Sequence, residues 1–244
     1  MTATLRTGKD VDLFEVGALH FRSRADAYAH ILSAEALESP SGDALGAWWS
    51  ERWTWESDTH RLTVAEQDGR LAGFSYVGPS EVEGAAELYA IHVDPELVGS
   101  GIGKLLMVDA LDRLAEIGDR AVLWVLEENT VARRFYDRGG WRPDGVTRVE
   151  PISGVPVPQL RYGRELTRPG DSHAARTLPL MCELLLSSSA PAGRSHRQGT
   201  GKTSGNQRDI ATWNWSRSAS ARPNASASSR TVSGRGRPAL PDSR

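Results

Sequence analysis

The chain is almost free of cysteine, because Cys182 is the only one among its 244 residues. One thiol excludes an intramolecular disulfide and a cysteine cluster for a metal, so we expect a reducing compartment and no metal ion. Long apolar runs are also missing: no window approaches the ~18 residues of a membrane span, and the first residues lack the apolar core of a signal peptide. The sequence therefore predicts a cytoplasmic protein without a membrane partner.

Charge is divided unevenly along the chain. Residues 1–168 carry 18 Lys and Arg against 27 Asp and Glu, whereas residues 169–244 carry 11 against 4. An acidic body followed by a basic segment rich in Ser, Arg, Gly and Pro is typical of a folded domain with a disordered extension. We therefore predict one domain over residues 1–168 and a disordered tail over residues 169–244. Nucleic-acid binding is not expected, except through that basic tail.

Apolar periodicity predicts the order of elements in the domain. Helical spacing extends from residue 10 to about 55 with a break at residues 40–42, and two alternating runs around residues 67–70 predict a hairpin. Residues 87–93 are apolar at nearly every position, as expected for a central strand buried on both faces. A helix, a short strand, a helix capped by Asn129 and a final hairpin follow. This order predicts an α/β (α+β) fold with helices on both faces of a mixed sheet.

A glycine-rich turn lies between the central strand and the next helix. Its residues are Val98, Gly99, Ser100, Gly101, Ile102, Gly103 and Lys104. Glycines let backbone amides approach an anion closely, and the start of a helix favours a bound phosphate. The spacing excludes a P-loop and, since Lys104 stands where a third glycine is needed, a dinucleotide-binding fingerprint. The turn alone is equally compatible with a simple connection from strand to helix.

Read with its flanks, the turn resembles that of the GNAT superfamily of N-acetyltransferases, over residues of roughly 10 to 166. In that family a Val-Asp-Pro step leads into an Arg/Gln-x-x-Gly-x-Gly/Ala turn, and here Val93-Asp94-Pro95 precedes the glycines. Downstream, the family's Asn, Ala-Arg, Phe-Tyr and Gly-Trp elements match Asn129, Ala132, Arg133, Phe135, Tyr136, Gly140 and Trp141. One departure is Val98, which stands in place of Arg or Gln and implies weakened rather than abolished coenzyme binding.

The resemblance implies a mostly antiparallel sheet and acetyl-CoA as cosubstrate. Amides of the turn would bind the pyrophosphate, and amides of the central strand would bond the acetyl oxygen and the pantetheine arm where that strand splays from its neighbour. The implied coenzyme contacts are Ile91, His92, Val93, Gly99, Ser100, Gly101, Ile102, Gly103, Lys104, Asn129, Ala132, Arg133 and Tyr136.

Transfer of an acyl group to an amine requires a neutral amine. Because an amine of pKa ~10.4 is mostly protonated at neutral pH, we expect a general base, and Glu87 is the candidate. Strand alternation predicts one face with Glu87, Tyr89, Ile91 and Val93, and an opposite face with Leu88, Ala90 and His92. Two alternatives stay open: Glu87 solvates the end of the strand, or His92 is the base.

The departing thiolate needs a proton. Tyr136 lies seven residues after Asn129, two helical turns on and on the same face. The resemblance implies that Tyr136 protonates the thiolate and that Asn129 binds the pantetheine. Trp49, Trp53 and Tyr89 are expected to line the acceptor site, although the helical spacing of the tryptophans fits a core role equally well.

We therefore predict transfer of an acetyl group to a primary amine of a small molecule or peptide, which could be a small amine, amino acid, antibiotic or protein N-terminus. A non-catalytic sensor or scaffold that binds acyl-CoA is the alternative. A homodimer stays open.

Overall fold

A computed structural model describes residues 2–167 of the chain. The predicted disordered tail lies outside these residues, and the domain boundary at residue 168 stays a prediction. The strands are β1 Thr4–Thr7, β2 Arg61–Gln67, β3 Arg70–Pro79, β4 Ala85–Val93, β5 Arg120–Leu126, β6 Arg142–Ile152 and β7 Val155–Glu165. The helices are α1 Leu13–Ala27, α2 Ala34–Glu38, α3 Gly42–Glu56, α4 Ile102–Ile117 and α5 Thr130–Arg138.

The seven strands form one sheet in the order β1-β2-β3-β4-β5-β7-β6. All neighbouring pairs are antiparallel except β4 and β5, which are parallel and are connected by α4. The predicted mixed, mostly antiparallel sheet is therefore confirmed, and its single parallel pair lies near the centre.

Helices cover both faces of the sheet, as predicted. On one face, Leu106 and Leu114 of α4 and Tyr136 of α5 belong to the largest core cluster. On the other, Leu19 of α1 and Trp49 of α3 pack in a second cluster with apolar residues of β2 and β3. A third cluster joins α2 to the ends of β5, β6 and β7.

Local sequence explains where the helices begin. The Ser41 hydroxyl accepts a hydrogen bond from the Ala44 amide at 3.2 Å before α3, and the Asn129 side chain accepts one from the Ala132 amide at 3.0 Å before α5. Such caps satisfy amides that have no partner within the helix. The predicted cap at Asn129 is confirmed.

Strand β4 contains a bulge that the alternation rule did not predict. In its pairing with β3, Ala90 lies opposite Tyr76 and Leu88 lies opposite Val77, so Tyr89 is an extra residue without a partner position. A bulge of this kind inverts the alternation of side chains beyond it.

The bulge corrects the predicted faces of β4. Leu88 packs in the same cluster as Ile91 and Val93, whereas Tyr89 packs against the cluster on the opposite face. Glu87, which precedes Leu88 in a regular stretch, points away from that residue. The prediction that Glu87 and Tyr89 share a face with Ile91 and Val93 is therefore wrong. Both side chains lie on the α1 and α3 side.

Candidate active site

The glycine-rich turn leads directly into α4. Gly99 and Gly101 have φ values of 86° and 94°, in the left-handed region that glycine adopts without strain. The Leu105 amide donates to the Gly101 carbonyl at 3.0 Å, so the amides of residues 102–104 precede the first bond of the helix. These amides and the positive end of the helix dipole together form an anion-binding surface.

The side chains of the turn are divided between surface and core. Ile102 and Gly103 are buried, and Gly99, Ser100, Gly101 and Lys104 are exposed. Val98 is half-buried and packs against the core, so it offers apolar contact where an Arg or Gln would offer donors. Phosphate binding at this turn therefore depends on the backbone.

We predict that Gly101→Ala weakens acetyl-CoA binding about tenfold. A Cβ at Gly101 meets no atom within 4 Å, so the cost comes from the positive φ, roughly 1–2 kcal/mol for a side chain in this region. Relief of that strain reorients the amides that follow. Isothermal titration with acetyl-CoA measures the loss. Gly69→Ala, at φ 74° in the turn between β2 and β3, is the matched control. Equal affinities in the two variants would contradict the prediction.

Strands β4 and β5 part soon after they meet. They are paired only over residues 85–87 and 120–122, and beyond these positions β4 remains paired with β3 and β5 with β7. A gap therefore opens between the two strands toward their carboxyl ends, on the side where the glycine-rich turn follows β4.

Two amides of β4 face this gap. The Asp94 amide donates to the Ala72 carbonyl at 2.9 Å, so this pair occupies a hydrogen-bonded position of the ladder that joins β3 and β4. In an antiparallel ladder such pairs alternate, which turns the amide of His92 toward β3 and those of Ile91 and Val93 toward the gap. The predicted contacts Ile91 and Val93 are thus placed to donate to a molecule in the gap, whereas the His92 amide is not.

Asn129 caps α5, and Tyr136 lies two helical turns later on the same side of the helix. Both residues are buried. Asn129 is 1% exposed, and its Nδ2 has no hydrogen-bond partner among residues 2–167. Such a buried donor ordinarily has a partner, which suits it to a ligand acceptor. Tyr136 is also 1% exposed and packs edge-on against Trp141, with Ala132 buried in the same cluster.

Arg133 lies one turn before Tyr136 on α5, and both residues contact Tyr162 of β7. Its Nη1 donates to the Glu127 carbonyl at 2.9 Å, and its Nε donates to the Tyr162 hydroxyl at 3.3 Å. Its charge is therefore held between the segment before α5 and Tyr162 of β7.

Glu87 lies where β4 and β5 part, opposite Val122 in the last residue pair. Its side chain accepts a hydrogen bond from the Ser80 hydroxyl at 2.7 Å, and the residue is only 4% exposed. Burial, followed by the charge of Glu87, raises the pKa of Tyr89. A carboxylate that merely solvated the end of the strand would be exposed, so its burial argues against that alternative.

A network that the sequence interpretation missed lies beside Glu87. The Arg52 guanidinium carbon is 4.7 Å from the Tyr89 ring centroid and 4.9 Å from that of Tyr76, and its Nε donates to Glu56 at 2.5 Å. His60 stacks on Tyr76, and burial lowers its pKa to about 4. The four-residue spacing of Arg52, Glu56 and His60 was the signal available in the sequence.

The three predicted acceptor contacts have different positions. Trp49 is 1% exposed and its indole nitrogen donates to His20 at 3.3 Å, so it is a core residue and does not line an open site. Trp53 is half-buried and donates to Asp10 at 2.6 Å. Tyr89 is also half-buried, and its hydroxyl donates to the Pro79 carbonyl at 2.6 Å.

His92 lies in the core on the α1 side. It is 1% exposed, its Nδ1 is 2.7 Å from the Ser23 hydroxyl, and its ring stacks on Phe74. Burial lowers its pKa to about 3, so the ring is neutral. Because the ring is enclosed by Ser23 and Phe74 and the amide is directed toward β3, the geometry favours Glu87 over His92 as the base.

Two further properties concern the whole described part of the chain. Residues 2–167 contain no group of three or more His, Cys, Asp and Glu side chains placed to hold a metal ion. No helix in the same range has the length and apolar character to cross a membrane.

Comparison with known proteins identifies relatives of this fold. Residues 27–141 match the family model described as the acetyltransferase (GNAT) family. A mycothiol acetyltransferase of Clavibacter sepedonicus is 38% identical over 94 residues, which are 38% of this chain and 30% of that protein. A protein of Mycobacterium tuberculosis named "probable N-acetyltransferase" is 27% identical over 160 residues, covering 65% of this chain and 91% of that protein. This chain thus spans less than a third of the mycothiol acetyltransferase.

Solved structures share the fold. The PaiA N-acetyltransferase of Thermoplasma acidophilum, in complex with coenzyme A, superposes with a TM-score of 0.57 at 20% identity, covering 68% of this chain and 99% of that one. The YncA protein of Salmonella typhimurium, with acetyl-CoA, gives a TM-score of 0.52 at 15% identity, over 69% and 96% of the two chains.

Proposed function

We propose that this chain, whose residues 27–141 match the acetyltransferase (GNAT) family model, is a GNAT enzyme that transfers an acetyl group from acetyl-CoA to the primary amine of a small molecule or peptide. The proposal depends on one observation: two sets of backbone amides follow one another in space. The amides at the start of α4 and those of Ile91 and Val93 in the gap lie along one path from β4 to α4.

This path suits the chemistry of the cosubstrate. Acetyl-CoA supplies an activated thioester together with a pyrophosphate. The amides at residues 102–104 would hold the pyrophosphate, and Asn129 Nδ2 would donate to an amide carbonyl of the pantetheine arm. The amides of Ile91 and Val93 are preorganised donors for the acetyl oxygen, on which negative charge develops during attack.

Glu87 is the proposed base. It stands at the narrow end of the gap, where an amine approaching from the α3 side would meet the thioester. The Ser80 hydroxyl holds its carboxylate through Oε2, and the carboxylate would accept a proton from the amine directly or through water.

Tyr136 is the proposed acid for the departing thiolate, and Tyr136→Phe tests the assignment. We expect kcat to fall roughly 100-fold while the Kd for acetyl-CoA stays within about twofold, since a general acid acts in the transition state. Stopped-flow detection of released thiol and titration calorimetry provide the two values. Tyr28→Phe, which removes a hydroxyl from an equally buried tyrosine beside α2, should leave both unchanged. An unchanged kcat in Tyr136→Phe would refute the acid role.

The overall activity is tested by incubating the full chain with acetyl-CoA and a broad panel of amines. The panel contains amino acids, their amides, simple amines, aminoglycosides and peptides, and mass spectrometry detects the acetylated product. Acetylation of any of these amines supports the proposal. Tight acetyl-CoA binding without turnover on the entire panel would instead support a sensor or scaffold.

A further inference from the structure

The sheet face that carries Glu87 continues past the gap onto β5, β7 and β6. Val122, opposite Glu87, is followed two residues later on the same face by Trp124. Trp124 lies opposite Arg161 of β7, and on β6 Arg148 lies opposite Gln159, which shares this face. Glu87, Trp124 and the two arginines therefore lie on one continuous surface, which we call the acceptor floor.

The arginines of the acceptor floor are held in place. The Arg148 guanidinium carbon lies 3.8 Å from the Trp124 ring centroid, and its Nε and Nη2 donate to Gln159 Oε1 at 3.0 and 2.8 Å. Arg161 Nε donates to Asp144 at 2.8 Å, and its guanidinium carbon is 5.9 Å from the same ring. The Arg148 and Arg161 side chains are 11% and 17% exposed, so solvent reaches both only in part.

Charge is polarised across the floor. Its β5–β7–β6 side carries an excess of one positive charge, from Arg120, Arg142, Arg148 and Arg161 against Asp144, Glu150 and Glu165. Arg161 uses only Nε toward Asp144, and its two terminal nitrogens have no acceptor within residues 2–167. A guanidinium with both terminal nitrogens available matches the geometry of a carboxylate.

The separation of the two charged sides suits a small zwitterion. Glu87 and Arg161 are separated by two strand spacings of ~4.8 Å, from β4 to β5 and from β5 to β7, and by a shift of two residues of ~3.3 Å along the strands. Their Cα atoms are therefore roughly 12 Å apart. Both side chains rise from the same face of the sheet, and their separation is compatible with a molecule in which an amine and a carboxylate are a few bonds apart.

We propose that the acceptor is an amino acid, bound with its free carboxylate on Arg161 and its amine toward Glu87. This inference rests on the proposed acetyltransferase function and specifies its substrate class. Arg148, stacked on Trp124, lies beside the place where the carboxylate of the acceptor would bind. A peptide N-terminus lacks the adjacent carboxylate and would forgo this contact.

Three sets of acceptors test the inference with the full chain and acetyl-CoA: the twenty proteinogenic L-amino acids, their α-amides and their decarboxylated amines. We expect kcat/KM for the best amino acid to exceed that of its amide and amine by roughly 10- to 100-fold, the worth of a charge-assisted hydrogen bond. Arg161→Gln should raise KM for the acid by a similar factor and leave KM for the amide within about twofold. Arg161→Lys, which retains the charge, should recover part of the loss.

Arg113→Gln on the outer surface of α4 is the matched control and should change neither KM. Equal turnover of acid and amide, or an Arg161→Gln variant with the same preference as the wild type, would overturn the inference and leave acetyl transfer intact. Absence of turnover on all three sets and on the wider amine panel would overturn the proposed function itself. The two failures are therefore distinguishable.

Discussion

Glu87→Gln should reduce kcat about 100- to 1,000-fold without weakening acetyl-CoA binding, because a positioned general base contributes roughly that much to a proton-transfer step. Glutamine is nearly isosteric, and its amide oxygen accepts the hydrogen bond that the Ser80 hydroxyl now gives to Oε2 at 2.7 Å. The fold should therefore persist, and the loss should appear in kcat. Thiol release at saturating acetyl-CoA measures it, with titration calorimetry for the coenzyme.

Glu83→Gln is the matched control for this variant, since Glu83 is exposed in the turn before β4. It should retain wild-type turnover. A Glu87→Gln variant that turns over at the wild-type rate would show that the Glu87 carboxylate is not the base.

Trp49→Ala should destabilise the domain by about 3–5 kcal/mol, as expected when a fully buried aromatic side chain is truncated. Trp49 is 1% exposed and contacts Phe74 and Tyr76 edge-on, with ring centroids 5.5 and 5.1 Å away. The indole nitrogen also donates to His20, and this hydrogen bond would be lost. Urea unfolding followed by circular dichroism measures the free energy of unfolding.

Trp55, six residues later in the same helix, is the comparison because it is 72% exposed. Trp55→Ala should change the free energy of unfolding by less than about 0.5 kcal/mol. If Trp49→Ala were as stable as Trp55→Ala and instead raised KM for the acceptor, Trp49 would be an acceptor contact after all.

Much of the fold follows from periodicity and turn chemistry. The Asn129 cap, the glycines after α4 and α5, and the turn between β2 and β3 all lie where the sequence predicts them. Two elements were missed. Strand β1 has only four residues, and α2 is a five-residue helix within a stretch whose spacing resembles one longer helix. Elements this short depend on the tertiary contacts that hold them.

The site was predictable where it depends on the backbone and less so where it depends on side chains. The glycine turn could be proposed from its residues, and the amides of Ile91 and Val93 from the resemblance to the GNAT family, because backbone donors need no particular side chain. The faces of β4 could not, since the bulge at Tyr89 arises from its pairing with β3. Trp124 and Arg148 meet only through strand pairing, so no spacing along the chain indicates their contact.

The separation of β4 from β5 divides the sheet into two parts that are joined by little strand pairing. One plate consists of β1 to β4 and the other of β5 to β7, and only three residue pairs join their edges. Beyond these pairs the plates are held together by core packing, since Ile91 and Val93 of β4 and Leu123 and Val125 of β5 belong to one buried cluster. A molecule bound in the gap would add contacts to both plates where strand pairing is absent.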